Sequence, residues 1–237
     1  MRRVDLPLRD LEMPAEGEVH AWFTRLANLP VMEAGTPGHR SAEVRQQRMA
    51  QRFVLRLLLG AYLGRPGRDV AIERTAAGKP RLVDDASGLE FSLSHTGERL
   101  AIAVARGVPV GVDIEPEGRA LRWRRLATRY FPPAEAEQLV RIDDEESGRC
   151  RFLRHWTARE ALIKAVGRTI AGHVGAVELA DEGGPALRAL PEDWPAPEKW
   201  TLAAPEAPPD LVVHLAAPRP GLEVRSMELR LEPPGPG

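Results

Sequence analysis

The chain has 237 residues, with 33 Lys+Arg against 34 Asp+Glu, a formal net charge of −1, 43% hydrophobic and 28% charged residues. That length suits one large domain or two of about 100–120 residues, and the balance excludes a disordered tract and a strongly basic nucleic-acid coat protein. The single cysteine, Cys150, excludes an intrachain disulfide and a cysteine metal cage, which points to a reducing cytoplasm; no apolar run approaches the roughly 20 residues of a membrane span, and no apolar core follows Arg2-Arg3 to make a signal peptide, so neither a nucleic-acid nor a membrane partner is expected.

Val19 to Leu29 predicts a helix ended near Pro30. Ser41 to Leu63 predicts the clearest helix, with Ser41 as N-cap, Glu43 in the first turn, and Val44, Met49, Phe53, Leu57 and Leu58 on one face. Gly64, Pro66 and Gly67 end it. A β-rich stretch follows: Val70–Glu73, a Gly78-Lys79-Pro80 turn, Arg81–Val83, the alternating Phe91-Ser92-Leu93-Ser94, then Leu100–Arg106 and Val108–Glu115 as a hairpin around Gly107. Arg119–Arg129 predicts a basic helix, Pro132-Pro133-Ala134-Glu135 the start of another, and Cys150–Val166 a long one closed by Gly167. Ala176–Leu179, Trp200–Ala203, Leu211–Leu215 and Glu223–Leu231 are strand candidates. The proline-rich segment 185–210 is expected to be irregular surface or a mobile connection, and the tail 232–237 frayed. Two halves of the form helix-then-strands, split near Gly107–Asp113, suggest a diverged duplication.

Several residues could carry chemistry. On a strand, Asp113 and Glu115 point to one face and Val112 and Ile114 to the other. Two carboxylates among apolar neighbours repel and lose solvation, which a divalent cation such as Mg²⁺ offsets; a solvated edge strand is the alternative. Trp156, Glu160 and Lys164 follow one helix stripe, so Glu160 could supply a third carboxylate and Lys164 a cation for a phosphate oxygen, or the two could form a surface ion pair. His95, beside Ser94 and Thr96, could contact an anion or be merely exposed. A Ser94–His95–Asp113 relay is disfavoured, because strand neighbours point apart. Gly78-Lys79-Pro80 alone is a turn. Arg119, Arg122, Arg124, Arg125 and Arg129 could form a solvated face or a dock for an acidic partner, and the stripe of Arg45, Arg48, Arg52 and Arg56 could hold phosphates.

Taken in order, G-K-P at 78–80, F-S-L-S-H-T at 91–96, G-V-D-I-E at 111–115, R-Y-F-x-x-x-E at 129–135 and W-T-A-R-E-A-L-I-K at 156–164 resemble the 4′-phosphopantetheinyl transferases of the larger, surfactin-synthetase-activating type. The resemblance covers roughly residues 40–170. It implies an α+β fold, a pseudo-dimer of two similar α+β halves with the active site between them. Residues 1–110 would form the N-terminal half with the nucleotide contacts, and 111–237 the half with the metal site and carrier docking. Such enzymes move the phosphopantetheine arm of coenzyme A onto a serine of an acyl or peptidyl carrier protein, with Mg²⁺, releasing 3′,5′-ADP. By the match, Asp113, Glu115 and Glu160 would hold Mg²⁺, and Glu160 and Lys164 would be catalytic, Lys164 on the diphosphate. Arg48, Gly78, Lys79, Pro80, Ser94 and His95 would contact coenzyme A, with Arg45 or Arg52 as alternatives to Arg48, and Glu135 would support the site. Arg159 departs from the family's usual lysine. A cytoplasmic monomer is expected, with its acidic carrier docked near Arg119–Arg129. A non-catalytic coenzyme A- or nucleotide-binding protein of the same fold, or a metal-dependent phosphodiesterase, would use the same residues differently.

Overall fold

The computed structural model describes residues 1–8, 11–29, 40–83, 86–181 and 183–231. Five strands form one sheet in the order β1 (Arg2–Asp5), β12 (Glu223–Arg230), β2 (Glu18–Arg25), β6 (Arg99–Arg106), β5 (Leu89–Thr96). A second sheet has the order β10 (Thr201–Ala203), β11 (Leu211–Ala217), β7 (Gly111–Pro116). Two ribbons, β3 (Ile72–Arg74) with β4 (Pro80–Leu82) and β8 (Glu178–Asp181) with β9 (Pro185–Ala189), stand apart from them. The helices are α1 (Arg40–Tyr62), α2 (Trp123–Tyr130), α3 (Pro133–Val140), α4 (Glu145–Ala165) and the short α5 (Ile170–His173).

Alternation sorts these elements into layers. Val54, Leu55, Leu58 and Leu59 of α1 pack on Trp22, Phe91, Ile102 and Leu229, one face of the large sheet. Its other face, Val19, Ala21, Phe23, Ala101 and Ala103, meets Val112, Ile114, Val213 and Leu215 of the small sheet. Ala158, Ala161 and Leu162 of α4 cover the far side with Ala216, Val177 and Trp200. The order is helix, sheet, sheet, helix, and the two edge strands β5 and β7 lie side by side, with Ser92 Oγ accepting from the Val112 N–H at 3.2 Å. Among the described residues no helix is long and apolar enough to cross a membrane.

Several expectations need correction. The segment 18–25 is a strand, followed by a 3₁₀ turn at Leu26–Asn28. It sits inside the large sheet with both faces buried, so its near-continuous apolar run mimics a helix. The core face of α1 is Ala50, Val54, Leu55, Leu58, Leu59 and Tyr62, whereas Met49 and Phe53 are 62% and 47% exposed. Both stripes are apolar, and only the sheet beneath selects between them. β6 and β7 do not form a hairpin: β6 pairs with β2 and β5, and β7 crosses to pair with β11. Segment 185–210 contains β9, a 3₁₀ turn and β10, pinned by the buried rings of Trp194 and Trp200. A boundary at 110 does not part the sheets, because β12 returns between β1 and β2, parallel to both. The basic helix is shorter than expected, and the long helix begins earlier, at an Asp144 cap whose carboxylate accepts from Ser147 N at 2.7 Å. The tail 232–237 lies outside the described residues.

Candidate active site

Gly111 sets the geometry. A Cβ there would stand 1.9 Å from the Ala161 carbonyl oxygen and 2.5 Å from Ala165 N, so only glycine lets β7 approach α4 this closely. The residues on the same face of the strand, Asp113 and Glu115, are thereby brought to the face of α4 that bears Glu160 and Lys164. Lys164 Nζ donates to Asp113 Oδ1 at 2.5 Å and to Ser94 Oγ at 3.0 Å, and lies 3.7 Å from Glu160 Oε2. The Ser94 hydroxyl donates to the same Asp113 oxygen at 2.7 Å. Glu115 pairs with Arg119, four residues on.

Asp113 is 3% exposed, and Glu115 is also buried. Burial, reinforced by the negative charge of Asp113, pushes the Glu160 carboxyl up to about 7, against the pull of Lys164. Burial also raises Glu115, with Arg119 opposing. Among the described residues, no group of three or more His, Cys, Asp and Glu side chains is set to hold a metal ion. The Lys164 ammonium links two of the three carboxylates, bonding Asp113 and lying near Glu160. The chemistry of these donors fits Mg²⁺: hard carboxylate oxygens whose burial, with the charge of Asp113 added, holds one carboxyl near 7.

Strand alternation gives β5 two jobs. Ser94 faces Asp113, while the next residue, His95, faces α1 and lines a cavity of about 830 Å³ with Arg48, Gln51, Arg52, Leu55, Arg56 and Arg74. Burial, then the charges of Lys164 and Arg48, lower the His95 imidazole. A second cavity, about 340 Å³, lies between the Ala77–Pro80 turn and the end of α4, lined by Leu93, Ile163, Lys164 and Ile170. Pro80 and Leu93 border both cavities. Gly78, at φ 86°, lets the turn form, and its N–H donates to the Thr75 carbonyl at 2.8 Å. Lys79 is engaged with backbone: its Nζ donates to the Val110 and Ala165 carbonyls at 3.2 and 3.0 Å, tying the turn to the C-terminus of α4.

Glu135 is not among the partners of that cluster. It is buried against Arg159, accepts from His155 Nδ1 at 2.6 Å, and takes the Leu179 N–H at 3.4 Å. Arg159 is fully buried, its guanidinium carbon 4.0 Å from the Phe131 ring centroid. The planar guanidinium thus stacks and pairs at once, which an ammonium does not do. This pair joins α3, α4 and β8. Arg74 was missed, although it stands opposite Pro80 in the β3–β4 ribbon and lines the basic cavity; Arg119 was read only as part of a basic stretch, and its pairing with Glu115, signalled by their four-residue spacing, was not.

Residues 109–207 match the model of the 4′-phosphopantetheinyl transferase superfamily. The region holds Asp113, Glu115, Glu160 and Lys164; Arg48, residues 78–80, Ser94 and His95 lie outside it. The chain is 38% identical over 131 residues to the 4′-phosphopantetheinyl transferase HetI of Nostoc sp., which covers 54% of this chain and 55% of that protein. It is 31% identical over 128 residues to the L-aminoadipate-semialdehyde dehydrogenase-phosphopantetheinyl transferase of Homo sapiens, covering 50% and 41%. It is 32% identical over 90 residues to the 4′-phosphopantetheinyl transferase AcpT of Escherichia coli O157:H7, covering 38% and 45%. The chain spans about half the length of the curated relatives it matches. Across residues 109–207, which hold the acidic cluster and its lysine, the protein is similar to the 4′-phosphopantetheinyl transferase superfamily.

Proposed function

We propose that the protein transfers the 4′-phosphopantetheine arm of coenzyme A to a serine of an acyl or peptidyl carrier protein and releases 3′,5′-ADP. The observation that carries this reading is Lys164, held by Asp113, close to Glu160 and lining the apolar cavity, which shares Pro80 and Leu93 with the basic one. We further infer the larger, two-half form of these enzymes. A long helix on a sheet occurs twice, α1 on the five mixed strands and α4 on the three antiparallel ones, packed sheet to sheet.

The basic cavity suits the nucleotide: Arg48 and His95 hold the 3′-phosphate, with Pro80 at the cavity edge and Gly78 and Lys79 on the adjoining apolar cavity. The apolar cavity suits the pantetheine arm, and Lys164, which lines it, meets the diphosphate. Asp113, Glu115 and Glu160 would hold Mg²⁺, which when bound neutralises charge growing on the diphosphate oxygens. Ser94 keeps Asp113 oriented as Lys164 turns from that carboxylate to the phosphate. The carrier serine oxygen forms a bond to the β-phosphorus. The bond from that phosphorus to the bridging oxygen breaks, and 3′,5′-ADP leaves with the electron pair. Glu160 accepts the serine proton. Positioning and electrostatics supply most of such catalysis. The exposed Arg119, Arg122, Arg125 and Arg129 form the face to which an acidic carrier would dock.

The test is to incubate the protein with Mg²⁺, coenzyme A and a purified apo-carrier, then weigh the carrier. The expected result is a gain equal to one phosphopantetheine arm, reduced about a hundredfold or more in rate by Asp113→Ala or Glu160→Gln. Hydrolysis of coenzyme A without a carrier would instead identify a phosphodiesterase, and binding without mass gain an idle relative.

A further inference from the structure

We infer that Arg119 is a positioning residue: it binds one oxygen of Glu115 and so presents the other to the divalent cation. The inference rests on the proposed metal site and deepens it. Glu115 is the last buried residue of β7, and its carboxylate pairs with Arg119. The chain then turns sharply, the Arg119 N–H donating to the Pro116 carbonyl at 3.0 Å. The turn is anchored, because the Glu117 N–H donates to the Asp210 carbonyl at 2.9 Å. The Asp210 carboxylate is itself forked by Arg99 of β6, with Nε at 3.0 Å and Nη2 at 2.8 Å. This chain of contacts returns Arg119 onto Glu115 Oε1 from the solvent side.

The two cations of the cluster therefore differ. Lys164 bonds Asp113 from within the cleft, where the phosphates of a ligand would arrive. Arg119 approaches from the opposite, outer end, and is paired with Oε1 of Glu115 alone among the described residues. A partner that orients a ligating carboxylate in this way typically sets metal affinity by 10–100-fold.

The experiment is titration of the full chain with Mn²⁺ alone, reading free Mn²⁺ by electron paramagnetic resonance, for the parent, Arg119→Gln, Arg119→Lys and Asp113→Asn, with unfolding midpoints in parallel. Arg119→Gln is expected to weaken Mn²⁺ binding about tenfold at an unchanged midpoint, and Arg119→Lys, which keeps a charged donor, to recover most of the loss. Parent-like affinity in Arg119→Gln, with Asp113→Asn weakened, overturns the role of Arg119 and leaves the metal site standing. Equal weakening in both Arg119 variants with a lowered midpoint also overturns it, as a structural effect. A parent that binds no Mn²⁺, or that Asp113→Asn does not change, overturns the metal-site reading itself.

Discussion

His214 lies opposite Asp113 in the register of β11 and β7, its Nδ1 2.7 Å from Thr157 Oγ1. Burial, helped by the charges of His155 and Arg154, lowers its imidazole from 6.5 to about 4. In the unfolded chain the ring takes up a proton below its ordinary value, and in the folded chain it does not. Its contribution is therefore whole above 6.5 and is lost as pH falls toward 4. The linkage corresponds to about 3 kcal/mol. Urea unfolding at about pH 7 and about pH 4 should show the parent losing that much more stability than His214→Asn, in which other titrating groups cancel; equal losses would contradict the assignment. At this scale the sequence spoke clearly where one strand decides. Alternation alone puts Asp113 and Glu115 on one face, and the structure does the same. It was silent on Glu135 and Arg159, 24 positions apart, because a buried pair is chosen by the tertiary fold and not by spacing.

Between elements, the contact that matters most is β7 on α4. It places two strand carboxylates against a helix stripe, and Gly111 alone permits it. Gly111→Ala should cost about 3 kcal/mol in chemical unfolding, because the colliding atoms are backbone and cannot rotate away. Gly118→Ala, where a Cβ meets nothing within 4 Å, should change stability by about 0.5 kcal/mol or less. Equal stability of the two variants would show that the strand and helix are not held at this distance. Element type was largely legible from periodicity, as α1 and β5 illustrate. Element partnership was not. The apolar run through Gly107 reads as a hairpin, yet its two arms join different sheets. The second apolar stripe of α1, Met49 and Phe53, remains exposed because the sheet beneath takes only one.

Across the whole molecule, the site depends on two sheets meeting edge to edge. β5 brings Ser94 and His95, β7 brings the acids, and α1 and α4 flank them with arginines and Lys164. The return of β12 between β1 and β2 locks the chain's end into its beginning, a pairing more than 200 residues apart that no local pattern announces. The motifs from 78 to 164 were readable because each is short and their order is constrained. Their convergence was an expectation that only tertiary structure could give form to. The most direct test of the account is anomalous diffraction from crystals grown with Mn²⁺ and coenzyme A. The account predicts one manganese peak bounded by Asp113, Glu115 and Glu160, with the diphosphate reaching Lys164 and the 3′-phosphate beside Arg48 and His95. A manganese peak elsewhere, or a diphosphate bound away from Lys164, would contradict it.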